Sequence, residues 1–380
     1  MAEIDPVHLT QSLIKCPSVT PEEAGAIALL EDLLGGAGFT CTRISRGGVE
    51  NLYARWGTES PVFAFAGHTD VVPPGDEALW THPPFSGAEV EDLLWGRGAV
   101  DMKSGVAAFV TAAIQMVQQS PPGGSIALLI TGDEEGPSKD GTRAILDWMQ
   151  EQGEQIDFCV VGEPTSISSV GDTIKIGRRG SMTGTLVVQG AQGHTAYPER
   201  AANPLPVLAE VCSRLAATPL DMGSTHFQPS TLALTSIDVG NPASNVIPAE
   251  GKAVFNIRFN DLQSSDSVKV WVDQIVTAIT HNGPCQADVD WHVSGESFLT
   301  SPGPLTDIVV DAVTDRTFER PALTTGGGTS DARFIKSICP VVELGLVGDT
   351  MHQTDERVPM ADIKILTQLY RDVLDRFFGV

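Results

Sequence analysis

A chain of 380 residues, 42% hydrophobic and 19% charged, is long enough for two cores, since one core rarely grows past about 250–300 residues. It leaves no room for long disorder. A net charge of −24 repels nucleic acid and anionic membrane surfaces, which excludes both as partners.

The chain starts with acids early and no basic-then-apolar run, so a cytoplasmic location is expected. Cys16, Cys41, Cys159, Cys212, Cys285 and Cys339 are scattered with no CxxC pair. That is the pattern of reduced, mostly buried thiols, neither a disulfide frame nor a thiolate zinc knuckle. Residues 1–178 read as alternating helix and strand: an amphipathic helix near 22–36, apolar strands at 61–66, 125–131 and 157–161, and a helix over 103–119. Apolar strand runs separated by helices predict an α/β unit with a mostly parallel, helix-flanked sheet. Chemistry in such sheets gathers beyond the carboxyl ends of the strands.

The pattern changes after about residue 179. Strands with polar alternation are expected at 181–190, 230–240, 250–260 and near 289–295, with helices near 203–216 and 265–281. This β-α-β-β-α-β order predicts a ferredoxin-like α+β insert. The expected division is a discontinuous catalytic domain, 1–178 and 295–380, interrupted by a domain over 179–294.

Each strand end of the first domain delivers a polar side chain. "PVFAFAGHTD" ends in His68 and Asp70, "GRGAVDMKSG" puts Asp101 before a helix, and "LLITGDEEG" ends in Glu134 and Glu135. "FCVVGEPT" brings Glu163, and "GDTMHQTDE" brings His352 after the last strand. Singly, each has an ordinary explanation: a hydrogen-bonded loop histidine, a helix N-cap, a solvated acidic pair, a turn. Their coincidence at the strand ends of one sheet points to a site. Two imidazoles and three carboxylates suit zinc, with cobalt or manganese as substitutes. Five ligands, with Asp101 as the candidate bridge, suffice for two cations about 3.5–4 Å apart. A local charge of +4 also explains why Asp133, Glu134 and Glu135 can stand consecutively. One glutamate of the Glu134–Glu135 pair would bind metal while the other faces water.

"GHTDVVPPGD", "GRGAVDMKSG", "TGDEEGP" and "VGEPT" resemble, in the same order, the metal-site motifs of the dinuclear zinc aminoacylase and carboxypeptidase family. The resemblance runs over nearly the whole chain. It implies two zinc ions per subunit: His68 and Glu163 on one, Glu135 and His352 on the other, Asp101 bridging. Glu134 matches the family's general base, and Asp70 its carboxylate behind the first histidine, which would fix the imidazole tautomer. The resemblance also implies a cis peptide between Asp101 and Met102. His194 in "QGHTAYP" matches a histidine that reaches the site from the partner subunit in relatives, so a homodimer whose insert serves for dimerisation is implied.

Within the family, "KIGRRGSMTGTLVVQG", "SNVIPAE" and "TTGGGTSDARFI" resemble the branch that hydrolyses the amide of small N-acyl diamino acids. Arg178 and Arg258 suit the carboxylates of such a substrate through forked guanidinium contacts. Ser181, Tyr197 and Asn245 resemble further polar contacts. Thr325, Gly326 and Gly327 lie in a glycine-rich loop that lets backbone donors approach a ligand closely. The loop lacks the GK[ST] ending of a phosphate loop. Relatives often carry Asn four residues before the last metal histidine, where this chain has Gly348. A sister amidase is the nearest alternative reading. A non-catalytic zinc-binding module is a second, disfavoured because a scaffold needs neither Glu134 nor Asp70.

Overall fold

The structure is a computed structural model that describes residues 4–380. The chain forms two compact units: residues up to Ile176 with Thr300–Thr324 and Ser330–Val380, and Gly177–Leu299 with Thr325–Thr329. The glycine-rich loop thus groups with the second unit, although its flanks belong to the first.

The first unit is built on an eight-stranded sheet in the order Thr40–Arg46, Val49–Trp56, Ser125–Thr131, Val62–His68, Phe158–Val161, Val341–Glu343, Thr173–Lys175, Ala322–Thr324. Ser125–Thr131, Val62–His68, Phe158–Val161 and Val341–Glu343 run parallel to one another, so the mostly parallel sheet holds at its centre. The expected strand 125–131 and helix 103–119 fall on Ser125–Thr131 and Lys103–Gln119. The expected helix at 22–36 is shorter, Ala26–Gly36. Several elements go beyond that reading. A helix Pro6–Ile14 opens the chain, capped by Asp5, whose carboxylate accepts from the Val7 N–H at 2.9 Å. An antiparallel hairpin, Thr40–Arg46 with Val49–Trp56, forms one sheet edge. Its turn residues Gly47 and Gly48 have φ of +58° and +88°, the two positive angles that tight hairpins favour and that only glycine adopts freely.

The core explains why the central strands read as unbroken apolar runs. Val62–His68 and Ser125–Thr131 are buried at every residue, because helices cover the sheet. Lys103–Gln119 packs on Met360–Phe378. Phe65 and Phe109 stack with ring centres 4.2 Å apart, and Tyr370 meets both edge-on at 5.6 Å. Burying each phenyl ring stabilises the fold by about 2–3 kcal/mol. The parallel strands end at one edge: His68 pairs with Thr131, and Val161 with Glu343. The loops after them therefore gather together.

The second unit carries a four-stranded antiparallel sheet in the order Thr231–Asp238, Glu250–Phe259, Gly180–Gln189, Gln286–Gly295. Helices Pro204–Ala217 and Ser265–Thr280 join Leu186, Val188, Phe255 and Ile257 in its core through Leu208, Val211, Val268 and Val272. The order and the two crossover helices are the expected ferredoxin-like arrangement. No helix among the described residues is long and apolar enough to cross a membrane.

Candidate metal centre

Seven side chains singled out from the sequence converge at that edge of the first unit. His68 ends its strand, and its Nδ1 lies 2.8 Å from the backbone carbonyl of Asp70. A donating Nδ1–H leaves Nε2 as the ligand-facing nitrogen. Nε2 lies 3.0 Å from Asp101 Oδ1 and 3.8 Å from Glu163 Oε1. On the other side, His352 Nε2 lies 3.2 Å from Asp101 Oδ2 and 2.8 Å from Glu135 Oε1. Asp101 thus stands between two imidazoles with one oxygen toward each. Ligand atoms of His68, Asp101 and Glu135 lie within 4.8 Å of one another, as do those of His68, Glu134 and Glu163. The Asp101–Met102 peptide is cis.

The three consecutive carboxylates are separated by what their neighbours donate. Asp133 turns inward and accepts from the backbone N–H groups of Lys139 and Asp140 at 2.9 and 3.1 Å, closing the loop on itself. The Asp70 carboxylate accepts from the N–H groups of Glu134 and Glu135 at 3.2 and 3.0 Å. That adds a second role to the one expected for Asp70, whose charge also helps raise the His68 imidazole. Its carboxylate is 3.7 Å from His68 Nδ1, beyond a hydrogen bond, so the main chain orients the imidazole and the Asp70 side chain holds the Glu134–Glu135 loop.

Electrostatics follow from burial and these contacts. Burial works to raise the carboxyl of Asp101, but hydrogen bonds from His352 and His68 hold it below the ordinary range. Burial works against protonation of His68, yet the Asp101 hydrogen bond and the surrounding carboxylates push it well above its ordinary value. His352 is raised to about 10 by hydrogen bonds to Asp101 and Glu135. Glu134 is pushed well above the ordinary carboxylate range by burial, then by the charge of Glu163. An excess of carboxylates held together by protonated imidazoles is what a cation site looks like when protons compete for the ligands. The oxygen and imidazole donors, free of thiolate, fit divalent cations of intermediate hardness.

The remaining candidates belong to the second unit. The short strand Gly193–His194 pairs with Val246–Ile247, and Asn245 O accepts from Thr195 N at 3.1 Å. His194 and Tyr197, with ring centres 5.8 Å apart, therefore share one exposed corner with Asn245. Ser181 pairs with Arg258 across adjacent strands. Arg178 is buried and donates to Gly328 O at 3.1 Å, and Thr325 Oγ1 donates to His226 O at 2.6 Å. Gly326 and Gly327 complete that loop, with φ of +102° at Gly327. These residues are thus placed at the His194 corner, on the paired strands of Ser181 and Arg258, and at the Arg178 loop.

Two residues absent from the sequence reading, Arg97 and Glu356, support the centre, and Asp133, read there only as one of three consecutive carboxylates, takes a structural role. Asp133 shapes the carboxylate loop, and Arg97 with Glu356 ties the segment before Asp101 to the segment after His352. The only local signal was the acidic end of "MHQTDE".

The fold and centre define a metallopeptidase-type hydrolase: residues 64–376 match the peptidase family M20/M25/M40, and the chain belongs to that family. It is 55% identical over 377 residues to the succinyl-diaminopimelate desuccinylase of Paracoccus denitrificans (strain Pd 1222), covering 99% of each chain. It is 57% identical over 381 residues to the protein of the same name from Rhodospirillum centenum (strain ATCC 51521 / SW), covering 99% of this chain and 98% of that one. Among solved structures, the M20 family metallo-carboxypeptidase Sso-CP2 from Sulfolobus solfataricus has the same fold, with a TM-score of 0.80 at 16% identity over 99% of this chain and 100% of that one. The Bacillus subtilis YXEP protein, described as a dinuclear metal binding peptidase, has a TM-score of 0.76 at 14% identity, covering 98% of both chains.

Proposed function

We propose that this protein hydrolyses the amide bond of N-succinyl-LL-2,6-diaminopimelate, giving succinate and LL-2,6-diaminopimelate in lysine and diaminopimelate biosynthesis in the cytoplasm. The observation that carries the reading is the Asp101 carboxylate flanked by His68 and His352, one oxygen to each. Two zinc ions suit that set, one with His68 and Glu163, the other with Glu135 and His352, and Asp101 shared. When bound, the cations supply Lewis acidity, polarising the amide carbonyl and acidifying water.

The protein's own residues do the rest. Glu134, grouped with His68 and Glu163 and held by its loop N–H on Asp70, takes the proton of the attacking water and returns it to the leaving amine. The carbon–oxygen bond forms first, giving a tetrahedral oxyanion, and the carbon–nitrogen bond then breaks as Glu134 hands its proton to the departing nitrogen, so the proton balance closes on one residue. Asp70 holds Glu134 in place through the loop N–H groups. His194 of the partner subunit donates to the tetrahedral oxyanion in a homodimer with shared sites. Arg178 and Arg258 recognise the substrate carboxylates, with Ser181, Tyr197, Asn245 and the Thr325–Gly327 backbone as further polar contacts.

The test is a side-by-side rate measurement on N-succinyl-LL-2,6-diaminopimelate and N-acetylornithine, before chelation, after chelation and after zinc add-back. A succinyl preference restored by zinc is expected. Preference for the acetyl substrate would reassign the protein to a sister amidase, and absence of any hydrolysis would leave a binding module.

A further inference from the structure

Arg97 and Glu356 are 259 positions apart and both fully interior, yet neither is among the candidate ligands. Glu356 Oε2 accepts from Arg97 at 2.7 Å and from the Gly98 N–H at 3.0 Å. Its Oε1 accepts from the N–H groups of Val100 and Asp101 at 2.8 and 3.1 Å. One carboxylate therefore gathers the whole approach to Asp101. The guanidinium faces the other way as well, donating to the Gln353 carbonyl at 3.2 Å and the His352 carbonyl at 3.4 Å. The Trp80 ring lies 5.2 Å from the guanidinium carbon.

A buried ion pair is a poor device for stability alone, because desolvation offsets most of the attraction and a well-packed apolar pair serves as well. An apolar pair cannot accept three backbone N–H groups on one segment and donate to two carbonyls on another. His352 shows why the second segment needs holding. Its φ is +60°, in the left-handed region that side chains other than glycine rarely adopt, and its imidazole is half exposed. His68, by contrast, is fixed by its strand and by the Asp70 carbonyl.

We infer that Arg97 and Glu356 are positioning residues that set the separation of Asp101 and His352, and so the affinity of the cation position formed by Asp101, Glu135 and His352. The inference rests on the two-cation reading above. It makes the two positions unequal in their dependence on this pair.

The experiment titrates zinc into the chelated full-length protein by calorimetry, with His352→Ala identifying which binding step belongs to the His352 position. Arg97→Lys keeps the charge that balances Glu356 but gives up the planar fork that reaches both carbonyls. The double variant Arg97→Met, Glu356→Gln removes both charges, so neither is left buried and unpaired. Expected in both is a loss of tenfold or more in affinity at the His352 position, a change under threefold at the other position, and a metal-free melting temperature within a few degrees of the parent. Wild-type affinity at both positions in a folded variant overturns the inference. Equal weakening at both positions in step with lost metal-free stability also overturns it, as does failure of both variants to fold, since the pair is then scaffold. A parent protein that binds no zinc would instead refute the two-cation reading, which makes that failure separately visible.

Discussion

Asp70→Asn separates what the chemistry needs from what the fold tolerates. Asp70 is fully buried, and burial raises its carboxyl from the ordinary 3.8 to about 6, against the charge of His68 and the N–H groups of Glu134 and Glu135, which pull it down. At about 1.4 kcal/mol per pH unit, keeping that group ionised at pH 8 costs the metal-free fold about 3 kcal/mol relative to the unfolded chain. Asparagine has the shape of the neutral acid and removes this cost. Its amide also sets a donor against one of the two loop N–H groups, which returns about 1–3 kcal/mol. The expected net change at pH 8 is about 0–2 kcal/mol of added stability, where a buried hydrogen-bonded carboxylate would ordinarily be expected to lose several. Because the folded-state value is raised, the wild-type contribution is fully present below about pH 3.8 and is lost as pH rises through about 6. The stability gap between variant and wild type therefore widens from pH 5 to pH 7 and is flat above. Activity moves the other way, falling roughly 10–100-fold, because the loop bearing Glu134 and Glu135 loses an anchor. Urea unfolding of both chelated proteins from pH 5 to pH 8, with kcat measured after metal reloading, tests this. A loss of more than about 3 kcal/mol at pH 8, or a gap independent of pH, would refute the reasoning.

Glu134→Gln should keep its metal and lose several orders of magnitude in kcat, and near-normal turnover would remove Glu134 from the base role. A Cβ at Gly345 would lie 2.2 Å from the Glu163 carbonyl oxygen, an atom of the backbone that cannot swing aside. Gly345→Ala should therefore cost about 1–3 kcal/mol of stability and weaken the cation position shared by His68 and Glu163, read by urea unfolding and zinc titration. His352, raised to about 10 by Asp101 and Glu135, is an imidazolium at neutral pH that a cation must deprotonate. Zinc affinity should climb with pH up to about 10, with proton release detectable by calorimetry in buffers of different ionisation enthalpy. The His352 pairing stabilises the metal-free fold fully below about 6.5 and fades as pH rises through about 10. An affinity constant between pH 7 and 9 would contradict both. His194→Ala should leave fold and metal content intact with activity lost, and mixing it with an Asp101→Ala protein should restore part of the rate; no recovery in a mixed dimer would count against shared sites.

The central architecture was legible because it follows from local pattern. Ser125–Thr131 is apolar at nearly every position, which a strand buried on both faces demands, and Lys103–Gln119 has the helical spacing of apolar residues. The edge hairpin was harder to see, since Thr40–Arg46 is half exposed and alternates weakly, although the Gly47–Gly48 pair carried the turn signal. The ferredoxin-like order of the second unit was readable from clean alternation in Glu250–Phe259.

At the centre, the order of chemistry-bearing residues along the chain was enough to nominate His68, Asp101, Glu134, Glu135, Glu163 and His352, because parallel strands deliver their following loops to one edge. Which way each carboxylate turns was decided elsewhere. Asp133 faces its own loop, and Glu134 and Glu135 are held by Asp70, while Asp101 and His352 are held by Glu356 and Arg97. Asp133 finds its partners six and seven positions on, but the other hydrogen-bond partners stand 64 to 255 positions apart and leave no periodicity for a sequence reading to detect; only the packed chain brings those donors to their acceptors.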